Sequence, residues 1–246
     1  MKEKKTNKRQ NIRKAIVFAA FLLFPVVINY MSPVLILTGA YEGIITGSAI
    51  LFGLLFLSSL FLGRAWCSWL CSAGGFHEAC TAVTGRKAKT SWGNVVRIII
   101  WLAWMGMMIT LFVRAGQVNA IDPQYMTEKG ISFLGSGMIM FIYLGVVLLA
   151  FIMLLIWGNR AFCKYLCWMA PFMIIGNKIR YALKIPGLYL RPKKENCIEC
   201  RRCNQACPMD IDVQSMVQNE DFNNNECIMC MQCVDICPKA AIITKR

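Results

Sequence analysis

Eight cysteines near the C-terminal end are spaced C-x2-C-x2-C-x3-C-P twice over. The first run is Cys197, Cys200, Cys203 and Cys207 before Pro208; the second is Cys227, Cys230, Cys233 and Cys237 before Pro238. In a two-cluster bacterial-type ferredoxin the fourth cysteine of each run ligates the other run's cluster. The spacing therefore predicts one 4Fe–4S cluster on Cys197, Cys200, Cys203 and Cys237, and a second on Cys227, Cys230, Cys233 and Cys207. Zinc sites pair two distant C-x2-C knuckles rather than three cysteines in one run, and disulfides need an oxidising compartment. Few large apolar residues lie in this segment, so bound clusters are expected to hold it together. Short helices are expected after Pro208 and Pro238, with small strands at the edges, including residues 241–244.

The rest of the chain is apolar. Hydrophobic residues make up 57% of it, and the mean hydropathy of +0.50 points to a membrane protein. The net charge of +14 sits in blocks beside apolar runs instead of along helix faces, which argues against nucleic acid as a partner. Four uncharged stretches, 15–41, 43–63, 98–113 and 131–158, are expected to be transmembrane helices, each needing about 20 residues. The third reaches that length if it extends upstream through Val95 with Arg97 snorkelling to the headgroups. Pro25 and Pro33 are expected to kink the first, and Trp92 and Trp157 fall where an aromatic belt would lie.

Lysine and arginine set the orientation. Seven precede Ala15, five lie from Arg64 to Arg97 and thirteen follow Gly158, whereas only Arg114 and Lys129 fall between the third and fourth stretches. By the positive-inside rule both termini and the cysteine-rich tail face the cytoplasm of a multi-pass inner-membrane protein. A cleaved signal peptide is the rival reading of the first stretch, but its apolar run exceeds a signal core and lacks a clear cleavage site. The expected organisation is a basic N-terminus (1–14), a helical membrane domain of two repeated helix pairs (15–190), and a small α+β two-cluster ferredoxin domain (191–246).

A repeat underlies the two pairs. Residues 63–71, GRAWCSWLC, match residues 159–167, NRAFCKYLC, at a constant offset of 96. Each copy follows the second helix of a pair. If helical, C-x3-C places both thiols on one face. Two facing pairs then offer Cys67, Cys71, Cys163 and Cys167 as a pocket for iron or a further iron–sulfur cluster. The same cysteines also read as buried apolar residues or a reducible dithiol. Arg64 and Arg160, three residues before a cysteine, suit either helix anchoring or hydrogen bonding to a cluster or loop carbonyls. Trp66, Trp69, Phe162, Tyr165 and Trp168 read as belt and packing residues. Residues 72–84 and 168–177 are expected to lie along the cytoplasmic interface.

The chain from about residue 15 onward resembles the membrane polyferredoxin family. Its members include accessory ferredoxins of nitrate reductase and cytochrome oxidase and a nitrous-oxide reductase maturation regulator. They carry paired C-x3-C-P motifs at membrane helix ends, followed by two 4Fe–4S motifs. Here Ser72 and Trp168 stand where proline would follow, and Pro171 comes three residues late. The resemblance implies electron transfer among the two clusters, the four-cysteine centre and the quinone pool or a redox partner protein, in the lipid bilayer. His77, the single histidine, reads either as a proton acceptor for quinol or as an interfacial residue without chemistry. Cys80 reads as a small buried hydrophobe. No nucleophile or acid–base pair marks an independent enzyme. Other readings are an accessory reductase for metalloenzyme maturation and a membrane redox sensor.

Overall fold

A computed structural model describes residues 8–82, 84–88, 93–116, 118–132 and 138–245. The first uncharged stretch is broken rather than merely kinked. Helix α1 (Lys8–Leu22) ends at a turn on Leu23, and α2 (Phe24–Val27) continues into a 3-10 turn (Ile28–Met31) after a 60° bend. Pro25 causes this: it lacks an N–H, and its ring would meet the carbonyl of Phe21. Pro33 then opens a separate helix, α3 (Pro33–Glu42), capped by Ser32 Oγ, which accepts from Leu35 N at 3.4 Å. Strand β1 (Ile44–Thr46) leads into α4 (Gly47–Leu62), capped in turn by Thr46.

Short α5 (Trp66–Trp69) and α6 (Ser72–Ala79) follow, then α7 (Gly93–Ala115), β2 (Ala120–Asp122), α8 (Met138–Trp157), α9 (Ala161–Tyr165) and α10 (Ala170–Ala182). Strands β1 and β2 pair in parallel and join two loops at the end away from the cysteines. Among the described residues two helical segments, 94–115 and 140–157, are long and apolar enough to cross a membrane, or three spans if the bent α1–α2 pair counts as one. Helix α4, at 16 residues, spans about 24 Å, short of a hydrocarbon core of about 30 Å. Trp157 closes α8, 41% exposed; Trp92 lies outside the described residues.

Helices α6 and α10 pack on α1 and α4 respectively. Each approach depends on a glycine. A Cβ on Gly75 would stand 1.9 Å from Val17 O, and one on Gly176 would stand 1.8 Å from Ser59 Oγ. Gly75→Ala must therefore push α6 off α1. A loss of about 1–3 kcal/mol is expected, read as a fall in the thermal midpoint of the detergent-solubilised protein; Gly53→Ala, which meets nothing within 4 Å, should leave that midpoint unchanged.

In the tail, β3 (Tyr189–Pro192) pairs antiparallel with β4 (Ile242–Lys245), so the two ends of the segment close on each other. Helices α11 (Arg202–Ala206) and α13 (Gln232–Ile236) lie inside the cysteine runs, and α12 (Val213–Gln218) follows Pro208. No helix follows Pro238: β-branched Ile242, Ile243 and Thr244 form β4 there instead.

Candidate metal centre

The two C-x3-C segments close with the same backbone turn, although Arg160 leads the second in left-handed conformation (φ 67°) and Arg64 does not lead the first so. Helix α5 carries Cys67 and stops at Leu70; α9 carries Cys163 and stops at Leu166. Cys71 N donates to Trp66 O and Cys167 N to Phe162 O, both at 3.0 Å. Each motif thus closes in a wide turn, and the second cysteine lies beyond the helix rather than on its face. The proline substitutes serve as ties. Ser72 Oγ donates to Ala20 O at 3.0 Å, and Trp168 Nε1 donates to Met31 O at 2.9 Å, so both turns are fixed to the bent N-terminal segment. Cys67, Cys71 and Cys163 are buried and Cys167 is half-buried. The four lie within one another's electrostatic range. Burial pushes the Cys67 and Cys71 thiols up, and Cys167 to about 12. Thiolates exist here only with compensating positive charge.

The structure also sorts the eight tail cysteines. One cavity is lined by Cys197, Cys200, Cys203 and Cys237, another by Cys207, Cys227, Cys230 and Cys233. In each, the fourth thiol comes from the other run. Glu199 and Arg201 in the first loop, and Met229 and Met231 in the second, have φ of 53°, 55°, 51° and 63°. Left-handed backbone costs a non-glycine residue roughly 1–2 kcal/mol. Alternating it with right-handed residues turns successive N–H groups inward as an anion nest, a geometry used at Fe–S sites. Strain repeated at matching positions, with four thiols per cavity, fits a 4Fe–4S cluster. Among the described residues no three His, Cys, Asp or Glu side chains gather tightly enough for a single metal ion. That holds for the tail thiols too, so it bears on a lone ion and not on a multi-iron cluster.

Comparison with known proteins gives the same division. A 4Fe-4S dicluster domain family matches residues 196–242, and a 4Fe-4S binding domain family matches twice, over 44–91 and 138–186. The double match contains the two C-x3-C motifs, one in each copy. The chain belongs to the membrane polyferredoxin-like 4Fe–4S proteins. It is 26% identical to the putative electron transport protein YccM of Escherichia coli, over 85% of this chain and 58% of YccM. Identity to the uncharacterized protein MJ0750 of Methanocaldococcus jannaschii is 25%, over 75% of this chain and 73% of that one. With the regulatory protein NosR of Pseudomonas aeruginosa it is 25%, over 72% of this chain and only 24% of NosR. No solved structure matches.

In this polyferredoxin the second cysteine run is seated on the C-x3-C turns. Ser68 Oγ donates to Ile228 O at 2.6 Å, Trp69 Nε1 to Met229 O at 3.3 Å, and Gln10 Nε2 to Cys230 O at 3.0 Å. Two carboxylates, each flanked by two arginines, hold the assembly. Glu226 pairs with Arg64 at 2.9 Å and Arg97 at 2.6 Å; Glu78 pairs with Arg13 at 2.9 Å and Arg160 at 3.6 Å. All four arginines are at most 2% exposed. Arg64 and Arg160 therefore do not anchor to headgroups. Arg160 Nη1 reaches Cys163 Sγ at 4.0 Å and Cys67 O at 3.4 Å, and Arg64 Nη1 reaches Asn225 O at 3.0 Å. Arg97 does not snorkel either; it turns inward to Glu226 and Cys163 O.

Glu226 and Arg13 were not singled out from the sequence, and Arg97 was read there only as a snorkelling residue. The available signal for Glu226 was the tail repeat, which has neutral Asn196 at the equivalent position. His77 is fully buried, not interfacial. Its Nδ1 accepts from Arg160 N at 3.3 Å, and burial, with Arg160 adding to it, pushes its pKa down to about 3. It positions the second motif as a neutral ring. Cys80 is half-buried against the apolar cluster around Phe76.

Two further cavities adjoin the motifs. An apolar one of about 50 Å3 has Cys71 and Cys167 in its wall, with Phe21, Phe24, Phe76 and Trp168. A larger one, about 530 Å3, lies between α7, α10 and the loop at Asn225–Glu226. Asn94 Oδ1, Arg97 Nε and Trp101 Nε1 are buried at its wall without a hydrogen-bond partner among the described residues.

Proposed function

We propose that this polyferredoxin passes single electrons between a partner protein and the membrane along three thiolate sets in fixed order. The first set is Cys197, Cys200, Cys203 and Cys237; the second is Cys207, Cys227, Cys230 and Cys233; the third is Cys67, Cys71, Cys163 and Cys167. Iron–sulfur clusters held by these thiolates supply one-electron redox states. The observation that carries the order is the seating of the second run on the C-x3-C turns, while the first run holds the one exposed thiol, Cys200. Burial of the middle set keeps water from it. Arg64 and Arg160 set positive charge beside the third, where thiolates would otherwise be costly. The 4Fe-4S family matches over both motifs support cluster binding there, and the electron-transport name of YccM accords with the reading.

The membrane end of the route is quinone. The larger cavity offers donors at Trp101 Nε1 and Arg97 Nε and an acceptor at Asn94 Oδ1, the pairing that a carbonyl and hydroxyl head requires. Exposed Ile98 and Ile175 continue its wall towards lipid. In this reading residues 15–190 form the membrane domain with four crossings, including the short α4. The termini and the ferredoxin segment 191–246 face the cytoplasm.

Iron and sulfide analysis with EPR, on anaerobic wild type and on Cys67→Ser/Cys163→Ser, tests the third set. About twelve irons falling to about eight is expected; about nine falling to eight means a lone iron, and about eight in both removes the third centre.

A further inference from the structure

The tail is a structural duplication with an offset of 30, so each half serves as a control for the other, and their difference is concentrated around the thiols. Ile198 is 56% exposed where its counterpart Ile228 is 2% exposed. Cys200 is exposed where Cys230 is buried. Arg201, Arg202 and Lys239 line the first cavity; the equivalent positions in the second half are Met231, Gln232 and Met209. The second half has exchanged charge for apolar or neutral residues because the membrane motifs cover it. The first half has retained an apolar spot, an exposed ligand and a basic surround, and none of the described residues covers them.

Five exposed basic residues, Lys193, Lys194, Arg201, Arg202 and Lys239, stand around this edge against exposed Glu195 and Glu199. Glu199 already accepts from Gln218 at 3.2 Å. Asp212, which lies within electrostatic range of Arg201, is engaged as the cap of α12. An apolar centre with a charged rim is the anatomy of a transient protein interface, and a rim of net positive charge steers an oppositely charged partner into place. We infer that the face around Cys200 and Ile198 is the docking surface for a soluble acidic one-electron carrier protein.

This rests on the electron-conduit reading and names its soluble partner. A cluster held by Cys197, Cys200, Cys203 and Cys237 would accept the one electron that the carrier gives up, with no bond made or broken and no proton moved. Ile198 supplies the dry contact at Cys200, and Arg202 and Lys239 meet carboxylates of the carrier.

The test uses the iron-replete chain in nanodiscs of neutral phospholipid, with an acidic plant-type [2Fe–2S] ferredoxin as probe. Affinity is measured by calorimetry, and electron uptake from the reduced probe by stopped-flow absorbance. In Arg202→Glu/Lys239→Glu, affinity and uptake rate should both fall by about tenfold or more and lose most of their salt dependence. Iron content, and reduction by light with deazaflavin, should match wild type. Arg114→Glu/Lys129→Glu, the same charge change in the last turn of α7 and the loop that follows it, should bind the probe as wild type does. The proposal is overturned by undiminished binding in the first variant, or by an equal loss in the second. It is also overturned if anionic lipid in the disc abolishes wild-type binding, since the patch would then belong to the membrane. A protein whose bound iron does not take up electrons from deazaflavin removes the conduit reading itself, and this inference with it.

Discussion

A Cys237→Ser variant is expected to strip protection from Cys197, Cys200 and Cys203, more than thirty positions earlier in the chain, and to leave Cys227, Cys230 and Cys233 protected. The reciprocal Cys207→Ser should expose Cys227, Cys230 and Cys233 and spare the first three. Anaerobic alkylation with mass spectrometry of each thiol reads both outcomes, and about four irons should be lost in each case. The effect is largest at the first site: among the residues lining that cavity, the thiols are the soft ligands, and the rest are carbon, amide or charged side chains, whereas Met209, Met216 and Met231 line the second. The opposite pattern, in which each variant exposes its own run, would mean that each run closes its own cluster, and the cavities would have been misread.

Glu226→Gln is the second large effect. It leaves Arg64 and Arg97, 1% and 2% exposed, facing a neutral amide. Removing one partner from a buried ionic network costs about 3–5 kcal/mol. The lower end applies because the carboxylate retains 13% exposure. The cost falls on the seam between tail and membrane motifs, so limited proteolysis should cut at residues 183–188 far faster than in wild type. Combining it with Arg97→Gln should restore part of the resistance, because one stranded charge is gone. Acid should act in the same direction. Burial by itself would raise the Glu226 carboxyl, yet Arg64 and Arg97 outweigh it and hold its pKa below the ordinary 4.5. Its contribution is then complete above that value and is lost as pH falls through the depressed one. The seam should hold at pH 5 and loosen only in stronger acid; loosening already at pH 6 would show that another group controls it.

Much of the thiol arrangement was legible before any coordinates because cysteine spacing in a short loop leaves the chain few ways to close. The two tail runs, at an offset of 30, reappear as matching left-handed residues, and the two membrane motifs, at an offset of 96, as matching backbone hydrogen bonds at their second cysteines. The reading of C-x3-C as one helix face failed. Spacing of i and i+4 describes a helix, but Leu70 and Leu166 end theirs one residue before the second thiol. The first stretch is bent more sharply than a kink, for a related reason. Hydropathy averages over a window and does not register that Pro25 and Pro33 each remove a backbone donor, which lets the helix restart in a new direction.

What the sequence by itself determined was the inventory: which residues are thiols, in what local loops, and which stretches are apolar. Local spacing is enough for that, since each motif is completed within a dozen residues. Only the tertiary structure decided which cysteine run lies against the membrane motifs and which faces solvent. That choice depends on Glu226 meeting Arg64 and Arg97 across more than a hundred residues of chain. A buried ion pair of this kind leaves no periodicity and no spacing signature; it exists only once folding has brought its members together.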